Sequence, residues 1–129
     1  MPKPIRRVYI AGILTPVGYF STNPAIDYIV ACREMIKWGW QALQAGFDPF
    51  VPALDQMFWY VMGEGEYMTE AQVKRYSKSW LEVCDALVLT PGWQKSKGTL
   101  VEIERANKLG IPVFKSLEEL VRYVRDNNL

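Results

Sequence analysis

The sequence predicts a single α/β domain of flavodoxin-like or Rossmann-like type, with a mainly parallel sheet of four to five strands and helices on both faces. Three observations carry this prediction. Short apolar runs alternate with longer runs of helical spacing, in the order β-α-β-loop-α-β-α-β-α. Helical runs open on capping residues (Asn23, Thr69, Ser116) and close on glycines (Gly46, Gly110). The length, 129 residues, suits one domain with a modest core, and no internal repeat, linker or low-complexity segment divides it.

Arg7 to Ala11 reads as the first strand, with Gly12 ending it. Lys3, Arg6 and Arg7 ahead of this apolar run imitate a secretory leader. The run is short and lacks a clear cleavage site, so the strand is the better reading. The loop from Gly12 to Thr22 holds Pro16, Gly18, Tyr19 and Phe20. Asn23-Pro24 starts a helix, Asn as N-cap and Pro at the first helical position. Ile29, Cys32, Ile36 and Leu43 supply its apolar spacing, and Gly46 ends it in a left-handed cap.

Phe47 to Val51 reads as a second strand, and Pro49 within it suggests an edge position. Residues 52–68 read as an irregular aromatic segment, functional or part of an interface. Thr69-Glu70-Ala71-Gln72 has capping-box spacing, so a helix runs to about Val83. Asp85 then reads as a structural residue at the entrance of a third strand, Ala86 to Thr90. Gly98 to Leu109 reads as a helix, Ile111 to Phe114 as a fourth strand, and Ser116 opens a last helix ending near Asp126.

Composition narrows the chemistry. Half the residues are hydrophobic, which argues against disorder, and a net charge of +1 argues against a general nucleic-acid binder. No apolar run is long enough to span a bilayer, so no membrane partner is expected. Cys32 and Cys84 lack metal-ligand spacing and read as buried thiols, in keeping with a cytoplasmic location. Histidine is absent, which excludes Ser-His and Cys-His catalysis and histidine-bound metals. No metal or other cofactor is expected, and catalysis falls to carboxylates, tyrosines, lysines or hydroxyls. Five tryptophans and five methionines suggest buried surface beyond one monomer's core, hence a homodimer or higher homo-oligomer.

In open α/β sheets, ligands bind beyond the carboxyl ends of the strands. Three loops should meet there: one after the first strand, with Gly12 and Ile13; one after the second, with Asp55; and residues 91–102. In the last, Ser96, Lys97, Gly98 and Thr99 suit a phosphate through hydroxyls, charge and helix-terminal amides. Glu102 lies a turn into the helix, where the dipole favours its ionised form and so a nucleophilic role. Carboxylates can attack a sugar C1 through an oxocarbenium-like transition state. Tyr19, Phe58 and Trp93 are candidates for stacking on a base. The constellation suits N-glycosidic chemistry on a nucleotide.

Val8-Tyr9-Ile10-Ala11-Gly12, Val51-Pro52-Ala53-Leu54-Asp55, Cys84-Asp85-Ala86-Leu87-Val88-Leu89, Ser96 with Glu102, and Ala106 to Val113 resemble the nucleoside 2-deoxyribosyltransferase superfamily. The likeness is greatest to a small branch of uncharacterised domains with a PGW-x-x-S-x-G-x-x-x-E signature, here residues 91–102. The superfamily includes 2'-deoxynucleoside 5'-monophosphate N-glycosidases and a CMP hydrolase. The resemblance implies that Glu102 is the nucleophile taking the sugar C1. Six residues earlier the transferases carry an aspartate on the sugar 5'-hydroxyl, and the monophosphate hydrolases a serine; here it is Ser96. An aspartate would repel a 5'-phosphate, whereas serine can donate to it.

Two positions depart from that pattern. The hydrolases carry a Gly-Ser-Ile-Arg-Gly type loop after the first strand; this chain has Gly12-Ile13-Leu14-Thr15-Pro16, leaving Lys95, Lys97 or Arg75 to compensate. The family's aspartate that assists protonation of the leaving base is Ser77 here, eight residues before Asp85, so that role falls to Asp55, Tyr9 or water. The expected activity is hydrolysis of a (deoxy)nucleoside 5'-monophosphate to free base and sugar phosphate. The alternatives are transfer to a second base, a phosphoribohydrolase of the cytokinin-activating type, and a non-catalytic nucleotide-binding protein.

Overall fold

The computed structural model describes residues 3–14 and 23–129. Its centre is one parallel four-stranded sheet in the order β2-β1-β3-β4. The strands are β1 (Arg7–Ala11), β2 (Asp48–Phe50), β3 (Ala86–Leu89) and β4 (Val113–Phe114). The α-helices are α1 (Pro24–Gln44), α2 (Glu70–Leu81), α3 (Lys97–Lys108) and α4 (Leu117–Asp126). Central β1 pairs with β2 from Arg7↔Asp48 and with β3 from Val8↔Ala86. β2 is an edge strand, as Pro49 predicts.

The two faces follow from the period of two along the strands. Val8, Ile10, Ala86 and Val88 pack with Cys32, Met35 and Ala42 of α1 and Leu117 and Leu120 of α4. Tyr9, Ala11, Leu87 and Leu89 pack with Leu81 of α2 and Ala106 of α3. The fold is therefore a three-layer α/β/α domain, and Tyr9 faces α2 and α3.

The predicted caps form. Asn23 accepts a hydrogen bond from the Ala25 amide, with Pro24 in the first turn. Thr69 and Gln72 close a reciprocal capping box. Ser116 caps α4 through the Glu119 amide, but the Glu119 carboxylate reaches back to the Lys115 amide, one residue before the cap. Gly46 and Gly110 hold left-handed backbone after α1 and α3, at φ +99° and +72°. Asp85 is structural: its Oδ2 accepts from the Arg6 and Arg7 amides, each at 2.9 Å, tying the start of β3 to β1.

Three expectations need correction. First, α1 buries only part of the predicted stripe: Cys32 is buried and Ile36 packs against the core, but Ile29 and Leu43 are about half exposed, and Met35, Gly39 and Ala42 are buried in addition. The cause is close packing at Gly39, where a Cβ would lie 2.3 Å from Val51 Cγ2. Small residues let the helix approach there and turn its larger apolar groups outward. Second, residues 52–68 are not irregular throughout, because Pro52–Val61 forms a 3-10 helix. Residues 57–61 are all exposed, so burial leaves no periodic signature on this half of it. Third, β4 is shorter than predicted. Pro112 can still accept, from the Leu87 amide at 2.9 Å, but it has no N–H to donate.

Candidate active site

The site is built from the middle of β1 and the helices α2 and α3 that cover it. Alternation along β1 turns Tyr9 inward between the two helices, where it is fully buried. Its hydroxyl donates to Glu102 Oε2 on α3. Burial pushes the Glu102 carboxyl up to about 7, and the Tyr9 hydrogen bond pulls against that rise. The Tyr9 phenol is pushed well above its ordinary range, first by burial and then by the Glu102 charge, so it is a neutral donor. The Ser77 side chain on α2 acts on the same phenol in the opposite sense.

This corrects the expected electrostatics of Glu102. Its place a turn into α3 predicts a carboxylate stabilised by the helix dipole. The dipole's influence fades within the first turn, and Glu102 is the sixth residue of the helix. Desolvation is the larger effect.

The start of α3 is anchored more tightly than a phosphate loop alone would be. Ser96 is its N-cap, accepting from the Thr99 amide at 3.1 Å. Thr99 Oγ1 lies 2.9 Å from Ser96 Oγ and 3.1 Å from the Gly12 carbonyl oxygen, with one proton to share between them. Ser96 and Thr99 are both buried, while Lys97 and Gly98 are exposed. Ser96-x-x-Thr99 thus joins α3 to the end of β1, a capping role legible in a serine placed just before a helix.

Gly12 is required by a close approach: a Cβ there would lie 1.8 Å from Thr90 Oγ1. Gly92 takes left-handed backbone at φ +86°, and a Cβ on it would meet Ile13 Cγ2 at 3.7 Å. The loops after β1 and β3 therefore touch, as expected for Gly12 and Ile13.

The remaining candidates divide between two sides. Phe58 meets Tyr76 edge-on at 6.2 Å, Tyr76 meets Phe50 at 5.7 Å, and Phe50 meets Tyr9 at 5.3 Å. This aromatic series leads from half-exposed Phe58 to buried Tyr9. Asp55 goes elsewhere. It is buried in the 3-10 helix, its charge acts on Tyr28 and Cys32 of α1, and desolvation raises its carboxyl. The structure does not join it to Tyr9 and Glu102. Trp93 packs against the core on the Tyr9 face and lines a cavity of about 130 Å³ with Trp38, Lys115 and Ser116. Tyr19 lies outside the described residues. Sequence reasoning missed the influence of Ser77 on Tyr9, because nothing local to residue 77 points to a residue on β1.

Among the described residues no three metal-ligating side chains are grouped to hold an ion, and no helix is long and apolar enough to cross a membrane. Fold and site together define a parallel α/β domain carrying a part-buried tyrosine–glutamate pair between the middle of its central strand β1 and helix α3. The family model described as a domain of unknown function, DUF4406, matches residues 6–115, and the chain belongs to that family. A comparison with curated proteins finds no match.

Proposed function

We propose that the chain is an N-glycosidase acting on a (deoxy)nucleoside 5'-monophosphate, with Glu102 as nucleophile. The observation that carries this reading is the hydrogen bond from buried Tyr9 to Glu102, set behind the N-terminus of α3. A carboxylate held by one neutral donor keeps an orientation suited to attack at an electrophilic carbon. In the proposed reaction a Glu102 oxygen bonds to the sugar C1 as the C1–N bond breaks. The base departs with the bonding pair and takes a proton. Water then adds to C1, loses a proton and releases the sugar phosphate and the carboxylate.

Each remaining part has support from placement. The exposed Lys97 and the first amides of α3 suit the 5'-phosphate. Phe58, half exposed at the end of the aromatic series, suits the base. Tyr9, which donates its proton in a hydrogen bond to Glu102, is a poor acid for the leaving base, and the charge of Asp55 acts instead on Tyr28 and Cys32 of α1. Water is left as the source of that proton. With a second base in place of water, the same site would act as a transferase.

The proposal includes a cytoplasmic homo-oligomer. Its support is an open, largely apolar groove of about 550 Å³ along the β2 edge, lined by Trp40, Leu43, Phe50, Leu54, Trp80 and Val83. Arg7 and Asp48 in the same groove give it both signs of charge, which suits a two-fold contact between copies.

The test is incubation with a panel of ribo- and deoxyribonucleoside monophosphates, followed by chromatography for free base. Release from at least one nucleotide, abolished by Glu102→Ala, is expected. Release that survives the substitution rules out Glu102 as nucleophile. Binding without release from any of them favours a nucleotide sensor.

A further inference from the structure

Helix α3 reaches the central strand at two points. Glu102, in its second turn, accepts from Tyr9 in the middle of β1. Thr99, in its first turn and buried, places its Oγ1 3.1 Å from the Gly12 carbonyl oxygen, just past the end of β1. The order follows from the topology. A crossover helix runs back against the strand direction, so its first turn meets the strand end and its second the strand middle. The two helix residues are ~4.5 Å apart along the helix axis, and their partners are roughly 10 Å apart along the strand. A short threonine against backbone and a long tyrosine–glutamate pair take up that difference.

Gly12 is a fixed point for this second contact. The Thr90 amide donates to the Ala11 carbonyl oxygen at 2.9 Å, joining the ends of β1 and β3, and the Thr90 hydroxyl stands where a Cβ on Gly12 would go. Thr99 Oγ1 also lies 2.9 Å from the Oγ of Ser96, the N-cap. One side-chain hydrogen bond at Glu102 would leave the helix free to slide along its axis. A second tie one turn away, to backbone that cannot shift, removes that freedom.

We infer that Thr99 is a positioning residue that fixes the axial place of α3 and so holds Glu102 in register with Tyr9. The inference rests on the reading of Glu102 as the reactive carboxylate. Thr99 acts through the helix, and its consequence is read at the carboxyl. The Tyr9 hydrogen bond pulls the Glu102 carboxyl down against burial, so a helix that slips and weakens this bond lets the carboxyl rise. The other charged groups nearby leave the effect separable. Cys84, beyond the end of α2, acts on Tyr9 but is pushed up to about 12 by burial and stays neutral, and Arg105 of α3 pairs with Glu82 at 2.6 Å.

The experiment is a carbon-13 NMR titration of the Glu102 carboxyl, its signal assigned by loss in Glu102→Gln, in protein whose folding is checked by thermal unfolding. It needs no substrate, so a protein without N-glycosidase activity can still pass or fail it. Thr99→Val keeps the shape and removes the hydroxyl, and should raise the Glu102 midpoint by roughly 0.3–0.5 pH unit. In a Tyr9→Phe background the same substitution should leave the midpoint unchanged. Thr99→Ser, which keeps the hydroxyl, should retain the wild-type midpoint. Thr99→Cys, with a weaker donor of similar bulk, should raise it in part and serves if the valine variant does not fold. Ser116→Ala, which removes the cap of α4 on the other face of the sheet, should leave it unchanged. A midpoint that stays or falls in Thr99→Val overturns the inference. So does an equal rise in the Tyr9→Phe background, in Thr99→Ser or in Ser116→Ala.

Discussion

Near neutral pH the Glu102 carboxyl divides between its two protonation states, because burial has moved it up to about 7. That shift has a sign for stability. A carboxyl that holds its proton more tightly when folded adds stability at low pH. The contribution is lost as pH rises from the ordinary 4.5 through about 7. The full loss is about 3 kcal/mol. Glu102→Gln, which keeps the shape and removes the titration, should therefore gain about that much over the wild type between pH 4 and pH 8. Urea unfolding across this range measures it. A constant difference between the two proteins would mean that Glu102 titrates as an ordinary surface carboxyl. Glu102 and Tyr9 are both legible in the sequence as site candidates. Their protonation is not, because desolvation depends on Leu81, Ala106 and the other neighbours that folding brings to this face.

For the elements, the decisive feature is that Ser96 has two demands on it. It caps α3, and in the proposed reaction it lies beside the 5'-phosphate. Ser96→Asp separates the two. Aspartate caps a helix about as well as serine, so the melting temperature should stay within a few degrees of the wild type. A second negative charge beside the phosphate should lower monophosphate turnover by at least about tenfold while sparing the free nucleoside. Calorimetry and chromatography read the two effects. Equal loss on both substrates would remove the phosphate from Ser96. The caps of α1, α2 and α4 were legible because each is a local pattern of three or four residues. The inward face of α1 was legible only in part, through Cys32 and Ile36. It is set by how closely Gly39 can approach Val51, and this outweighs the apolar spacing of Ile29 and Leu43.

At the scale of the whole molecule, the β2 edge combines an open strand with half-exposed Trp40, Leu43, Leu54, Trp80 and Val83. Such an edge invites pairing unless something covers it. A charge at its centre should prevent self-association: Trp40→Glu is expected to sediment as a monomer where the wild type sediments as a dimer or larger. A monomeric wild type at micromolar concentration would sink this assignment of the groove.

By itself, the sequence determined the α/β class, the order of the elements, most of their caps, the edge position of β2 and the segment that holds Ser96 and Glu102. These depend on periodicity and on residues within a turn of one another, where backbone geometry and capping chemistry act directly. Only the tertiary structure decided that α1 turns Ile29 and Leu43 outward, that residues 52–61 form a 3-10 helix, that Asp55 is buried there apart from Tyr9 and Glu102, and that Glu102 meets Tyr9. The Tyr9–Glu102 contact spans 93 positions in sequence. It forms because a parallel sheet places β1 beneath α2 and α3, and because a buried phenol and carboxyl each need a partner.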